Sequence, residues 1–233
     1  MGGLEGRVAV VTGTSRGIGR AIACSFARAG AAVAGCALGG RQGSFLDDLT
    51  SDEGRRCAHT VCDVRVQAEV LRFRDEVQST LGAPDIVVNN AGTVARASAL
   101  DLPLATWNDV LASNLTGTFL VTQAFLPALK GKRAGRIINL ASIAGRTGTA
   151  MLSAYCAAKH GVVGLTRALA EELRQDGIVV NAICPGSVGT EMLQQGMPGG
   201  TPKMTAEEVA RVALFLASEA PLALTGACID VFG

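Results

Sequence analysis

The chain is poor in the residues that several common functional classes require. It has two histidines, His59 and His160, in 233 residues, too few for a histidine-based metal centre. Its seven cysteines (Cys24, Cys36, Cys57, Cys62, Cys156, Cys184 and Cys228) are odd in number, scattered and without a C-x-x-C pair. That pattern argues against a disulfide framework or a zinc site and for reduced, mostly buried thiols. An excess of charge of one sign is also missing: 21 basic residues against 20 acidic ones leave +1. Without a basic stripe, nucleic acid is not an expected partner. No apolar run reaches the ~18–20 residues of a membrane span, so no membrane role is expected. The sequence runs from Met1 through Glu5 and Arg7 into an apolar stretch with no secretory core before it. These absences together give the expectation of a soluble, cytoplasmic protein.

Glycine, in contrast, is plentiful. There are 29 glycines, about 12% of the chain against an average of roughly 7%. No Gly-X-Y period or low-complexity tract absorbs them, so they must serve turns and close backbone approaches. A chain of this length can bury roughly 70–75% of its unfolded surface and needs no staples to fold.

Short apolar runs alternate with segments of helical length from end to end. Strands are predicted over 7–13, 31–38, 58–64, 85–92, 135–142, 177–186 and 226–233. Helices are predicted at 18–29, closed by Gly30, and at 67–81, ended by Gly82 and Pro84. Three more are predicted at 107–130, 154–175 and 205–218, with a short surface helix around 45–53. Two helix starts carry a capping-box spacing, Thr106 with Asp109 and Thr205 with Glu208. Strands separated by helical crossovers imply a doubly wound Rossmann fold, a seven-stranded, mostly parallel sheet with helices on both faces. No linker, repeat or break in composition divides residues 1–233, so a single domain is expected. The Gly- and Pro-rich stretch around 187–204 follows a strand and reads as a lid, because ligands of open α/β sheets bind beyond the strands' carboxyl ends.

The first strand ends in "TGTSRGIG", which puts Gly13, Gly17 and Gly19 at a strand-to-helix turn. Such a turn turns backbone amides and a helix N-terminus towards a pyrophosphate, although glycines also occupy such turns for packing. The carboxylate that reads a ribose 2′-hydroxyl about 20 residues further on is absent. No Asp or Glu lies between Glu5 and Asp47, while Arg16, Arg20, Arg28 and Arg41 do, and the second strand ends at Ala37 and Leu38. NADP(H) is therefore expected in preference to NAD(H), with Arg16 reaching the 2′-phosphate; the alternative is that Arg16 only solvates a helix end. Tyr155, the one tyrosine, and Lys159 lie four apart on a predicted helix and so share a face. A phenol of ordinary pKa near 10 is a poor base, and an adjacent ammonium is expected to favour its ionised form, letting it exchange a proton with a carbonyl or alcohol oxygen. Ser142 ends the strand before that helix, where a hydroxyl can hold the same oxygen.

With these residues in view, the chain resembles the short-chain dehydrogenase/reductase family, and most of all its 3-oxoacyl-[acyl-carrier-protein] reductase branch. The likeness rests on "TGTSRGIG" (12–19), "CDV" (62–64), "NNAG" (89–92), "SNLTGTF" (113–119), "INLASIAG" (138–145), "YCAAK" (155–159) and "NAICPGSVGTEM" (181–192). It implies a catalytic tetrad of Asn114, Ser142, Tyr155 and Lys159: Tyr155 as acid/base, Ser142 holding the oxygen, Lys159 on the nicotinamide ribose and Asn114 holding a relay water. It also implies cofactor contacts at Gly13, Ser15, Arg16, Gly17, Ile18 and Gly19 in the turn. Asp63 and Val64 would lie at the adenine, Asn90, Ala91 and Gly92 after the fourth strand, and Pro185, Gly186, Val188 and Thr190 beside the nicotinamide. Each has a duller alternative, such as Asp63 as a helix cap or Asn114 as a buried residue satisfying backbone groups.

The resemblance further implies an NADPH-dependent carbonyl reductase, acting on a ketone or an acyl thioester, in a homotetramer or dimer. An alcohol dehydrogenase running in the oxidative direction and a non-catalytic dinucleotide sensor are the competing functions. The chain departs from the family in a short lid, with only Leu193 to Met204 between "TEM" and the last helix, and in Phe232 and the end at "IDVFG". Leu38 also stands where a small or hydroxylated residue often helps bind a 2′-phosphate. Arg96, Arg146 and Lys203 are cations within reach of an anionic substrate group or, alternatively, plain surface charges.

Overall fold

The computed structural model describes residues 3–40, 44–54, 56–132 and 134–233; Arg41 lies outside them. Seven strands form one parallel sheet: β1 (Val8–Thr12), β2 (Ala32–Ala37), β3 (Cys57–Val61), β4 (Ile86–Asn89), β5 (Arg136–Leu140), β6 (Val179–Pro185) and β7 (Cys228–Val231). Their order is β3-β2-β1-β4-β5-β6-β7, and every neighbouring pair is parallel. The crossovers are α1 (Gly17–Arg28), α2 (Ser51–Gly54), α3 (Gln67–Thr80), α4 (Leu104–Leu111), α5 (Gly117–Lys130), α6 (Ser153–Glu172), α7 (Glu191–Gly196) and α8 (Ala206–Ser218). The order reverses between β1 and β4, and that switch point opens a crevice at the strands' carboxyl ends.

Alternation along the strands divides the core between two faces. Ala9 and Val11 of β1, Val88 of β4 and Ile138 of β5 pack with Ile22 and Phe26 of α1 and Val209 and Leu216 of α8. Val10, Val87 and Ile137 point the other way, into Val70 and Phe73 of α3 and Phe125 and Leu129 of α5. There Phe73 and Phe125 meet edge to face with ring centroids 5.8 Å apart. The inner strands are buried on both faces, but the edge strands β3 and β7 are half-exposed, unlike the uniform double burial that the apolar runs suggest. Among the described residues no helix is long and apolar enough to cross a membrane, and no group of three or more His, Cys, Asp and Glu side chains could hold a metal ion. All seven cysteines are free thiols.

Three expectations change on folding. Thr106 and Asp109 form no cap: the helix starts a turn earlier, at Leu104, because Pro103 takes the N-cap position with its φ of −65° and its carbonyl accepts from Trp107 N–H. Thr205 and Glu208, with the same spacing, do form the reciprocal box on α8. The segment expected as a surface helix at 45–53 is a 3₁₀ turn, Phe45–Asp48, followed by the single turn α2, and Phe45 is wholly buried. Lastly, α4 and α5 make one rod interrupted by a π-turn at Ala112–Thr116, which carries Asn114.

One buried cation ties the sheet to α8. Arg136 on β5 donates from Nη1 to Leu216 O and from Nη2 to Ala220 O, both at 2.8 Å, at the negative end of that helix. Replacing it by Met leaves two enclosed carbonyls without donors, and an Arg136→Met protein is expected to lose about 2–4 kcal/mol in urea unfolding. A loss below ~1 kcal/mol would mean that the two bonds are dispensable.

Candidate active site

At the switch point the glycine turn is shaped by Asn90. Its Nδ2 donates to Thr12 O at 2.9 Å and Gly13 O at 3.2 Å. A Cβ on Gly19 would fall 2.2 Å from that nitrogen and 2.3 Å from Gly13 O, and one on Gly13 would fall 2.8 Å from it. Gly13 also sits at φ +72°, so both glycines are required locally. Thr12 completes the clamp, its Oγ1 accepting from Asn90 N and Ala91 N at 3.0 Å each. Nothing in the sequence alone singled out Thr12. Gly17 (φ +57°) faces Thr190 across the crevice, where a Cβ would lie 3.1 Å from the Thr190 methyl.

A cavity at the carboxyl ends of β5 and β6 gathers Ile18, Ser142, Tyr155, Pro185, Gly186, Val188 and Thr190, seven of the predicted site residues. Ser142 Oγ accepts from Ala144 N at 3.1 Å, which caps the short turn after β5 and leaves the hydroxyl proton free to donate. Tyr155 and Lys159 share a face of α6, with Lys159 Nζ 5.6 Å from the ring centroid. Lys159 is buried and donates to Leu140 O at 2.7 Å. Asn114 is held at the π-turn by Nδ2 bonds to Thr93 O (2.7 Å) and Val110 O (2.9 Å). Its Oδ1 is buried without a partner, an acceptor suited to a water.

The electrostatics differ from the expected effect of an ammonium on a phenol. Burial dominates and pushes Tyr155 up to about 12, partly offset by the Ser142 hydroxyl. Burial likewise pulls Lys159 down to about 8, because its charge has a carbonyl for company and no carboxylate. Tyr155 is therefore a firmly protonated group at neutral pH, a state suited to giving a proton rather than taking one.

The remaining predicted residues lie away from this cavity or face other partners. Arg16, expected at a 2′-phosphate, forms an ion pair with Glu191 at the start of α7. Ser15 offers its carbonyl to Arg20 at 3.3 Å. Asp63 does not cap α3, whose N-cap is Val66; its carboxylate binds Arg65 at 2.7 Å and is held below the ordinary range by it. Val64 packs on α5, where a Cβ on Gly117 would lie 2.7 Å from it. Gly92 presses on Asn114, with room for no Cβ (2.4 Å to Oδ1). Met192 is a neighbour that sequence reasoning quoted only as part of a motif: its Sδ lies 3.9 Å from the Tyr155 hydroxyl.

A glycine turn at the switch point, with a phenol, a hydroxyl and an ammonium grouped along the same strand ends, defines a dinucleotide-dependent oxidoreductase. Residues 7–198 match the short chain dehydrogenase family, and the chain belongs to it. It is 38% identical to the 3-oxoacyl-[acyl-carrier-protein] reductase FabG of Pseudomonas aeruginosa, over 99% of this chain and 97% of that protein. It is 36% identical to a D-beta-hydroxybutyrate dehydrogenase of Cupriavidus necator, over 99% and 98%. A crystal structure from Agrobacterium tumefaciens, assigned as a gluconate dehydrogenase, superposes with a TM-score of 0.90 at 30% identity, covering 98% of this chain and 95% of that one. The protein is thus an NAD(P)-dependent oxidoreductase acting on CH–OH or C=O groups, in the branch of the 3-oxoacyl reductases.

The depressed pKa of Lys159 has a readable effect on stability. Unfolded, the amine keeps its proton up to its ordinary pKa of 10.5; folded, it loses it near 8. The penalty for burying the charge is fully present below pH 8 and is relieved as pH climbs towards 10.5. The stability of wild type relative to Lys159→Met should therefore rise across that window, by up to ~3 kcal/mol, in urea unfolding at fixed ionic strength. A difference that stays flat with pH would place the charge in solvent.

Proposed function

We propose that the protein is an NADPH-dependent carbonyl reductase that reduces a ketone, a 3-oxoacyl thioester among them, with Tyr155 as the proton donor. The observation that carries this reading is the Tyr155 hydroxyl sharing one cavity with the Ser142 hydroxyl and the segment from Pro185 to Thr190. A bound nicotinamide supplies the hydride to the carbonyl carbon. Ser142, with its Oγ already accepting from Ala144 N, donates to the substrate oxygen and orients it. Tyr155 gives that oxygen its proton as charge develops there. Lys159 serves as a positioning cation beneath the ring and as a donor to the nicotinamide ribose. Asn114 keeps Oδ1 available for a water that refills the phenol's proton.

The preference for a 2′-phosphate is supported by charge. Leu38 is 68% exposed at the end of β2, so no carboxylate stands at the ribose. Asp48 is spent on Arg20 in a pair at 2.5 and 2.7 Å. Arg16 and Glu191 are more than half exposed, so their pairing is worth little and a phosphate can draw the guanidinium away. We assign the remaining cofactor contacts to Gly13, Ser15, Gly17, Ile18, Gly19, Asp63, Val64, Asn90, Ala91 and Gly92, in the glycine turn and after β3 and β4.

A second reading, oxidation of an alcohol, is favoured by the hydroxybutyrate dehydrogenase relative. It requires the phenol to surrender its proton first, and a pKa of about 12 works against that at neutral pH. We place the protein in the cytoplasm as one domain assembled into a homotetramer or dimer. The exposed Phe119 on α5, Phe215 on α8 and Phe232 after β7 supply apolar surface for contact between copies.

Two substitutions test this reading. Tyr155→Phe should cut kcat by about 10²–10⁴-fold and leave NADPH affinity, followed by fluorescence titration, nearly unchanged. A variant with near wild-type turnover would remove Tyr155 from the mechanism. Arg16→Ala should raise KM for NADPH by about tenfold and leave KM for NADH alone; equal effects on both would sink the phosphate assignment.

A further inference from the structure

His59 on β3 takes no part in the chemistry at Tyr155, yet its ring joins two segments on the β2 side of the crevice. In the register of the parallel sheet it stands beside Gly35 of β2. A Cβ on Gly35 would fall 2.6 Å from Thr14 Oγ1, so Thr14 of the glycine turn lies directly over that bare strand position. The imidazole reaches across the gap, with Nδ1 3.4 Å from Thr14 Oγ1. Its Nε2 lies 2.9 Å from Gly39 O, in the loop after β2. A carbonyl can only accept, so Nε2 carries a hydrogen. Nδ1 then accepts from the Thr14 hydroxyl in the neutral ring and donates to it in the charged one, and either form holds both ends.

The two ends of this bridge differ in how firmly they are held without it. Gly13 N and Thr14 N both donate to Cys36 O, at 2.7 and 3.1 Å, so the turn is fixed on β2. The loop has no such packing: Leu38 is exposed, and a Cβ on Gly39 or Gly40 would meet nothing within 4 Å. Two successive glycines also leave the backbone wide freedom. What aims Gly39 is therefore the hydrogen bond from the imidazole rather than side-chain contact. Arg16 stands two residues beyond Thr14, and Leu38 immediately before Gly39. In the proposed reading these two flank the ribose and its 2′-phosphate, so the ring spans the gap in which that phosphate would sit.

We infer that His59 is a positioning residue for the 2′-phosphate: it ties the loop after β2 to the glycine turn and so fixes the gap which that phosphate enters. The inference rests on the NADPH reading and deepens it. A ribose carrying only a hydroxyl fills less of the gap and depends less on its width. Substitution at His59 should thus fall on phosphate-bearing ligands, and a neutral side chain that keeps the bond to Gly39 should serve in its place.

Calorimetric titration of the full chain with adenosine 2′,5′-bisphosphate and with adenosine 5′-monophosphate tests this without turnover. The wild type should bind the bisphosphate more tightly by about tenfold or more, as a charge-assisted bond to the extra phosphate implies. His59→Leu should cut that preference by about fivefold, the worth of an ordinary hydrogen bond, chiefly by weakening the bisphosphate. His59→Gln, whose amide can still donate to Gly39 O, should keep it within about twofold of wild type. Thr14→Val, which removes the other anchor, should lower the preference in the same direction and stands in if the leucine variant does not fold. Equal weakening of both nucleotides makes His59 a support for the fold alone and overturns the inference. So does a glutamine variant no better than the leucine one, or a preference that none of the variants moves. A wild type that binds the two nucleotides alike sinks the 2′-phosphate assignment and the inference with it, whereas failure in the variants alone leaves that assignment standing.

Discussion

The side-chain amide of Asn90 is the contact on which the site depends. By donating to the last carbonyls of β1, it locks the loop after β4 to the glycine turn. Its nearness leaves no room for a β-carbon at Gly13 or Gly19. The hydroxyl of Thr12 grips the same loop from below through two backbone amides. Two strands adjacent in space but far apart in sequence thereby end in one rigid ledge. The crevice opens there because the strand order reverses there.

A second constraint is burial. The phenol and the amine one helical turn apart are both shifted towards their neutral forms, the one upward and the other downward. Neither has a counter-ion, so the protein sets their protonation by withholding water rather than by pairing charge. In the proposed reaction the phenol keeps its proton until charge develops on the substrate oxygen.

Much of this was legible in the sequence. The seven apolar runs became the seven strands because double burial leaves a continuous signal, and the glycines after α1 and α3 mark real left-handed turns at Gly30 and Gly82. Four-residue spacing was enough to put Tyr155 and Lys159 on one face. The misses share a cause: the deciding partner lies elsewhere in the chain or outside the motif. Thr106 and Thr205 carry the same capping signature, and only the proline before the first decides between them. Phe45 reads as surface because its neighbours are polar, yet its ring lies where a Cβ on Gly35 would come within 2.6 Å. Arg16 meets Glu191, 175 positions away, and no local pattern announces that pairing. The Lys159 ammonium was expected to acidify the phenol, a judgement that sequence can make about proximity but not about solvation.

The π-turn has a consequence for how the long helix is shared. One additional residue in a turn swivels everything after it by about 100° around the axis. Before the swivel, Trp107, Val110 and Leu111 lie against Ala154 and Ala158 of α6; after it, Val121, Phe125 and Leu129 lie in the core with α3. A regular helix would carry its apolar stripe past one neighbour only, and so the extra residue lets one rod brace two layers of the protein. Asn114 sits at the pivot, which ties the aim of its amide to the joint between those layers.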